Sequence, residues 1–131
     1  MNKNKFNWNP YPQEEPDKEG FYLATISDND NYVEIRRYSK KYKFGRTNII
    51  AWMELPKPYD KIMTSNSKTK WHPYNEEKPY EFGYYLSTVE YQNKISISIS
   101  YWFNDTCEFF NEDDKQVLAW AELPKPYEGE R

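Results

Sequence analysis

The chain has 131 residues and a net charge of −3, with one cysteine (Cys107) and one histidine (His72). A lone cysteine forms no intrachain disulfide, and one Cys with one His is too few for a Cys/His zinc site, so no metal and no cofactor is expected. The start MNKNKFNWNP lacks the apolar stretch of a secretory signal, and no run approaches the roughly 18 apolar residues of a membrane span, so the expectation is a soluble cytoplasmic protein with no membrane partner.

Residues 8–25, WNPYPQEEPDKEGFYLAT, recur as residues 71–88, WHPYNEEKPYEFGYYLST. The two align without a gap, with nine identities in eighteen positions, among them Trp8/Trp71, Pro10/Pro73, Gly20/Gly83, Leu23/Leu86 and Thr25/Thr88. Each opening is Pro-rich and polar, which rules out regular helix or central strand. A strand follows each glycine, FYLATI in the first copy and YYLSTV in the second. Short Asp- and Asn-containing turns, Ser27–Asn31 and Gln92–Asn93, then lead into a second strand. That strand is NYVEIRRYS in copy one and KISISISYWF in copy two. The latter alternates strictly: Ile95, Ile97, Ile99, Tyr101 and Phe103 on one side, Ser96, Ser98, Ser100 and Trp102 on the other, the pattern of a half-buried strand.

A third strand is expected near Tyr42–Phe44 and Cys107–Phe110. The last is NIIAWMEL in copy one and QVLAWAEL in copy two, ending at Pro56 or Pro124 because proline cannot donate to a ladder. The closing blocks AWMELPKPY (51–59) and AWAELPKPY (119–127) match at eight of nine positions. Their offset of 68, against 63 for the opening blocks, places five extra residues in the middle of copy two. Residues 60–70, DKIMTSNSKTK, have linker composition. The chain is thus a tandem duplication: 1–59, a linker 60–70, and 71–131. The expected fold is all-β, two small antiparallel β-meander modules related by pseudo-symmetry.

Aliphatic residues are scarce, with Val only at 33, 89 and 117, against 13 Tyr, 7 Phe and 5 Trp. The cores must therefore lean on ring packing, and Trp52 and Trp120 in the closing strands are expected to be buried. A module of roughly 50–60 residues is marginal alone, so neither copy is expected to fold well by itself. The ELPKPY segments have the look of polyproline ligands. Their identical position after a strand in both copies favours a structural role, with Pro56/Pro58 and Pro124/Pro126 laid over Trp8/Tyr11 and Trp71/Tyr74 or over the neighbouring copy.

The set of Trp, Pro, Gly-x-Tyr-Leu-x-Thr, an aromatic strand and Trp-x-x-Leu-Pro-x-Pro resembles a family of small phage and prophage domains, the domain-of-unknown-function family five-five-one. The resemblance covers about 110 of the 131 residues. Copy two fits better through Tyr101, Trp102 and Phe109, while copy one has RRYSKKYKFGR in that region. It implies a phage or prophage origin and a β-rich module, and brings no activity and no catalytic residue.

Catalytic chemistry finds little support. His72 and Cys107 each occur in one copy only, read as a turn histidine and a semi-buried free thiol. The four glycines form no phosphate-binding loop, and the pairs Glu14/Glu15 and Glu76/Glu77 are read as solvated. Charge is more informative. Residues 1–59 carry net +2 and residues 71–131 net −7. The difference sits in equivalent middle loops: Arg36, Arg37, Lys40, Lys41, Lys43 and Arg46, with Tyr42, against Asp105, Glu108, Glu112, Asp113 and Asp114. Loops of opposite sign on a retained framework suit either mutual attraction and solubility or a recruited binding surface. The function expected is non-enzymatic binding, an inhibitor that occludes a nucleic-acid-handling host defence protein. The alternatives are nucleotide or single-stranded nucleic-acid binding by the basic edge, or a virion accessory role. The exposed aromatic residues Tyr11, Tyr74 and Trp102 are the reserve candidates.

Overall fold

The computed structural model describes residues 7–45, 48–60, 69–110 and 115–128. Among them there is no helix, and hence none long and apolar enough to cross a membrane. The elements are β1 (Asn9–Pro10), β2 (Gly20–Ser27), β3 (Asn31–Tyr38), β4 (Ile49–Glu54), β5 (His72–Pro73), β6 (Gly83–Tyr91), β7 (Lys94–Phe103), β8 (Glu108–Phe109) and β9 (Gln116–Ala121). They form two antiparallel sheets, with orders β1-β4-β2-β3 and β5-β9-β6-β7-β8. The all-β, two-module architecture expected from the repeats is the one observed.

The strand order is not that of a simple meander. The closing strand does not pair with the segment before it, but returns to the far side of the first long strand. Its composition explains why. Ala51 and Ala119 are fully buried and Trp52 and Trp120 nearly so, and neither strand contains proline, so each can accept a neighbour on both edges. The opening Asn9–Pro10 and His72–Pro73 are confined to the sheet edge by their prolines. The expected third strand forms only in copy two, as β8. In copy one Tyr42–Phe44 lies in a turn closed by the isolated Ser39↔Lys43 bridge.

Register repeats between the copies. Asn9↔Trp52 matches His72↔Trp120, and Gly20↔Tyr38 matches Gly83↔Trp102. Both sheets carry a bulge at the same place, after Thr25 and after Thr88. The extra residue, Ile50 or Leu118, presents its carbonyl to the amide of Tyr11 (2.9 Å) or Tyr74 (3.0 Å). Gly20 and Gly83 open their strands at φ of +155° and +142°, backbone that essentially only glycine adopts. The hairpins differ: Ser27 pairs with Asn31 across three residues, whereas Tyr91 pairs with Lys94 across Gln92 and Asn93, both at positive φ.

In the first unit, one sheet face packs Ala24, Ile26, Ile49 and Trp52 against Tyr38 and Phe44, with Tyr11, Tyr22 and Tyr32 at the margin. Phe44 sits at the centre of edge-to-face contacts, 5.1 Å from both Tyr11 and Tyr38. In the second unit Tyr85, Trp102, Phe109 and Trp120 play these parts, with Trp102 and Phe109 5.1 Å apart. Four of these rings donate to backbone carbonyls. The Trp52 indole donates to the Glu14 carbonyl and the Trp120 indole to the Glu77 carbonyl, both at 2.9 Å. The Tyr22 and Tyr85 hydroxyls donate to the carbonyls of Lys18 and Glu81. Burial raises the pKa of both phenols and keeps them in the donating form.

Part of the opposite face of each sheet, around Thr25 and Thr88, meets a segment from the other repeat. The chain divides into one compact unit of Met1–Leu55 with Pro124–Arg131, and another of Pro56–Leu123. The unit boundaries therefore cross the sequence repeats at the leucine before each PKPY. In the first unit the Trp8 indole donates to the Lys125 carbonyl (2.9 Å), and the Tyr127 amide donates to Thr25 Oγ1 (2.9 Å). In the second the Trp71 indole donates to the Lys57 carbonyl (3.1 Å), and the Tyr59 amide donates to Thr88 Oγ1 (2.9 Å). Of the placements open to the ELPKPY segments, the neighbouring copy is the one observed, and it covers Trp8 and Trp71.

Two stability outcomes follow. Trp120→Ala should cost about 3–5 kcal/mol, as for other buried Trp truncations; an unchanged midpoint in urea would contradict its place in the core. Thr88→Val keeps the shape but leaves the Tyr59 amide without its acceptor, and should cost about 1–3 kcal/mol. A neutral effect in the same titration would mean that this bond is not formed in solution.

Candidate functional site

The basic cluster follows from the end of β3, an edge strand, and the turn after it. Not all its charges are available. Arg36 is half-buried and pairs with Glu34 at 3.5 Å, and its Nε is buried without a hydrogen-bond partner among the described residues. Lys43, at φ +56°, reaches back to Glu15 at 3.0 Å and lies 6.0 Å from the Tyr38 ring centroid. The Lys40 amide donates to Glu19 (2.9 Å), which fixes the turn. Arg37, Lys40 and Lys41 point to solvent and make no ion pair among the described residues, and Lys41 lies 5.2 Å from the ring of the exposed Tyr42. Arg46 lies outside the described residues.

Glu15 is exposed, as expected, and is also the hub of a small network. It accepts from the Tyr38 hydroxyl at 2.6 Å and from Lys43 at 3.0 Å, and these two bonds hold its pKa below the ordinary value. The same contact raises the pKa of Tyr38 and of Lys43. The second copy has no equivalent, because Lys78 stands at the position of Glu15; the neighbouring Glu77 pairs with His72 Nδ1 at 2.9 Å, and the imidazole stacks on Trp120 at 4.3 Å. His72 is therefore a half-buried strand residue rather than a surface turn histidine. Cys107 is exposed, not semi-buried. Among the described residues no group of His, Cys, Asp and Glu is placed to hold a metal ion.

The acidic cluster is only partly within view. Asp105 is exposed in the turn after β7, and Glu108 is exposed on β8 opposite Phe103. Glu112, Asp113 and Asp114 lie outside the described residues. What these acids accompany is an exposed aromatic surface that the alternation of β7 led away from. Trp102 is 2% exposed, and the serine side of β7 faces the ring core, with Ser100 bonded to Ser87 at 2.7 Å. The isoleucine side shares its face with the covered Leu86 and Thr88 and is open towards its ends: Ile95 is 48% exposed and Phe103 39%.

Packing volume accounts for this choice of face. The large rings Tyr85, Trp102, Phe109 and Trp120 fill one face only if the residues between them are small, and Ser87 and Ser100 supply that room while satisfying each other's hydroxyls. The other face then carries a continuous ladder of rings. Tyr84 meets Tyr101 at 4.8 Å, Tyr101 meets Phe103 at 4.9 Å, and Phe103 meets Phe110 at 6.2 Å, all edge-to-face. Tyr84 and Phe110 are more than half exposed. With Ile99 and Lys115 these rings line an open groove of about 640 Å³. At the equivalent positions the first unit has Phe21 and Arg37, so the ladder belongs to the second copy alone. The reserve candidates do not join it, because Tyr11 and Tyr74 are half-buried against the ring cores. The signal that marks it in the sequence is the pair Tyr84 and Tyr101, aromatic where copy one has Phe21 and Arg37.

No protein-family model, no curated protein and no solved structure matches this chain.

The Glu15 network has a signed pH dependence. A carboxyl with a folded pKa below its unfolded one stabilises above the unfolded value, and that contribution is lost as pH falls through the folded value. Glu15→Gln should therefore unfold at lower temperature than the parent at neutral pH, and the gap should close as the pH is lowered beneath the carboxylate range. A gap of equal size at both ends of the pH series would mean that the Tyr38 and Lys43 bonds do not depend on the charge of Glu15.

Proposed function

We propose that this protein is a non-enzymatic binding protein that acts by occlusion, and that the acid-flanked ring ladder of the second unit is its contact surface. The observation that carries this reading is the contiguous set Tyr84, Tyr101, Phe103 and Phe110, ordered edge-to-face, with Tyr101 half-buried and the other three exposed. Rings of this kind are the usual energetic anchors of protein interfaces, and a monomeric surface seldom leaves several together without use. The surrounding charge selects the partner. Asp105 and Glu108 flank the ladder, in a half of the chain with net −7, so the complementary surface is basic. A basic groove that handles nucleic acid has that character. The phage-like motif set supports a host target of this kind and, with it, an anti-defence role in the cytoplasm of a bacterial cell.

A second reading rests on its own observation. Arg37, Lys40, Lys41 and Tyr42 form an exposed basic and aromatic edge on the first unit, suited to phosphate-bearing ligands.

The two separate in one set of measurements. Tyr101→Ala with Phe103→Ala, and independently charge reversal at Arg37, Lys40 and Lys41, would be compared with the parent for capture of partners from a bacterial lysate, then for binding to the purified partner and to single-stranded nucleic acid. The ring variant should lose at least about 30-fold in affinity for the protein partner, the scale of a hot-spot truncation. Binding of the parent should weaken as salt is raised. Equal affinity of ring variant and parent would overturn the ladder as the contact surface. Loss only in the charge-reversed variant, together with nucleic-acid binding by the parent, would favour the second reading.

A further inference from the structure

The two arms, residues 55–59 and 123–127, are identical: Leu-Pro-Lys-Pro-Tyr. From its first proline on, each is seated in the unit of the other repeat, and the seats are equivalent. An indole, Trp8 or Trp71, donates to the carbonyl of the lysine between the prolines. A fully buried threonine, Thr25 or Thr88, accepts the amide of the tyrosine. In the first unit Asn31 Nδ2 adds a bond to the Tyr127 carbonyl at 3.0 Å. The recognised groups are therefore backbone atoms, presented by a segment whose two prolines restrict its conformation before it binds. Nothing in these bonds distinguishes an arm of the same chain from one of another.

We infer that each seat is an exchangeable recognition site for the Leu-Pro-Lys-Pro-Tyr arm, and that a second copy of this chain supplies the arm in trans. In the exchanged form each Trp and Thr keeps the same partner, so the closed and exchanged forms differ only at the connection between strand and arm and in the freedom lost on association. A tethered arm competes at an effective concentration on the order of millimolar, so the closed monomer dominates at micromolar protein and exchange emerges as the protein approaches that concentration. Reciprocal exchange of the 123–127 arm between two chains closes a two-fold dimer with no seat left empty. This inference is independent of the ring ladder and stands or falls without it.

The full chain carries its own test. Cys107 is the only cysteine, and Lys125 is exposed, so a spin label can be placed on Lys125→Cys in a Cys107→Ser background. Unlabelled-isotope chains bearing the spin label would be refolded together with 15N chains of native sequence, at about 10 μM and at about 1 mM, on either side of the tethered regime. At the higher concentration a dimer should appear on sizing, and within it the Trp8 indole resonance of the 15N chain should lose about half its intensity or more. At the lower concentration the chains should be monomeric and the resonance intact. A Thr25→Val chain should reach a similar dimer fraction, because both forms lose the same bond, but return to monomer several-fold faster on dilution. If no dimer forms at the higher concentration, arm exchange between chains is excluded. If a dimer forms with the Trp8 resonance unbleached, it associates through another surface and the inference is equally overturned. The labelled chain of otherwise native sequence decides the matter even if the threonine variant fails to fold.

Discussion

The bond between a buried threonine and the amide of an arm tyrosine organises much of what is seen in each unit. The closing strand of each sheet, β4 or β9, runs into Leu-Pro, and a proline there cannot continue the ladder, so the chain must leave the sheet. It leaves as a segment with few amides to satisfy. One of these, on Tyr59 or Tyr127, meets the hydroxyl of a fully buried threonine, Thr88 or Thr25. A buried hydroxyl without that partner would be costly, and so would an arm amide without that acceptor. The bond explains why threonine stands at the same place in both repeats, beside the bulge in each sheet, and why Trp8 and Trp71 are buried although they lie in irregular openings.

Because each seat is filled from the other repeat, the repeat in the sequence and the unit in space are different objects. A chain cut after Tyr59 would hold the first sheet without its arm and the second unit's arm without its sheet. The small aliphatic content of the chain makes such completion matter. With cores of six and five rings, counting those at the margin, and few aliphatic residues among them, the burial of Leu23, Thr25 and Ala51, or of Leu86, Thr88 and Ala119, adds to a small apolar total.

The two units have used the same framework differently. In the first, the segment after β3 is basic and is drawn back onto the body by Glu15 and Glu19, which leaves a shorter list of free cations than the sequence suggests. In the second, the corresponding region is acidic and its rings divide. Trp102 and Phe109 turn inward, while Tyr101, Phe103 and Phe110 turn outward and extend the row begun by Tyr84. The functional reading therefore moves from charged loops to an aromatic surface with charge at its edge, where ring burial supplies affinity and the carboxylates supply selectivity.

Much of this architecture was legible in the sequence because it depends on local rules. The duplication, the absence of helix among the described residues, the strand starts at Gly20 and Gly83, the proline stops and the burial of Trp52 and Trp120 follow from identity, alternation and the conformational limits of glycine and proline. Long-range packing decided the rest. Alternation in KISISISYWF separates two faces but does not say which is buried; the choice fell to the side that could meet Phe109, Tyr85 and Trp120, rings from distant parts of the second unit. The closing strand lies beside β2 rather than after a third strand because it can hydrogen-bond on both edges, a competition among strands that no single segment records. The destination of the arms was likewise open, since identical Leu-Pro-Lys-Pro-Tyr segments fit identical seats, and only the tertiary structure determines that each one crosses to the other repeat.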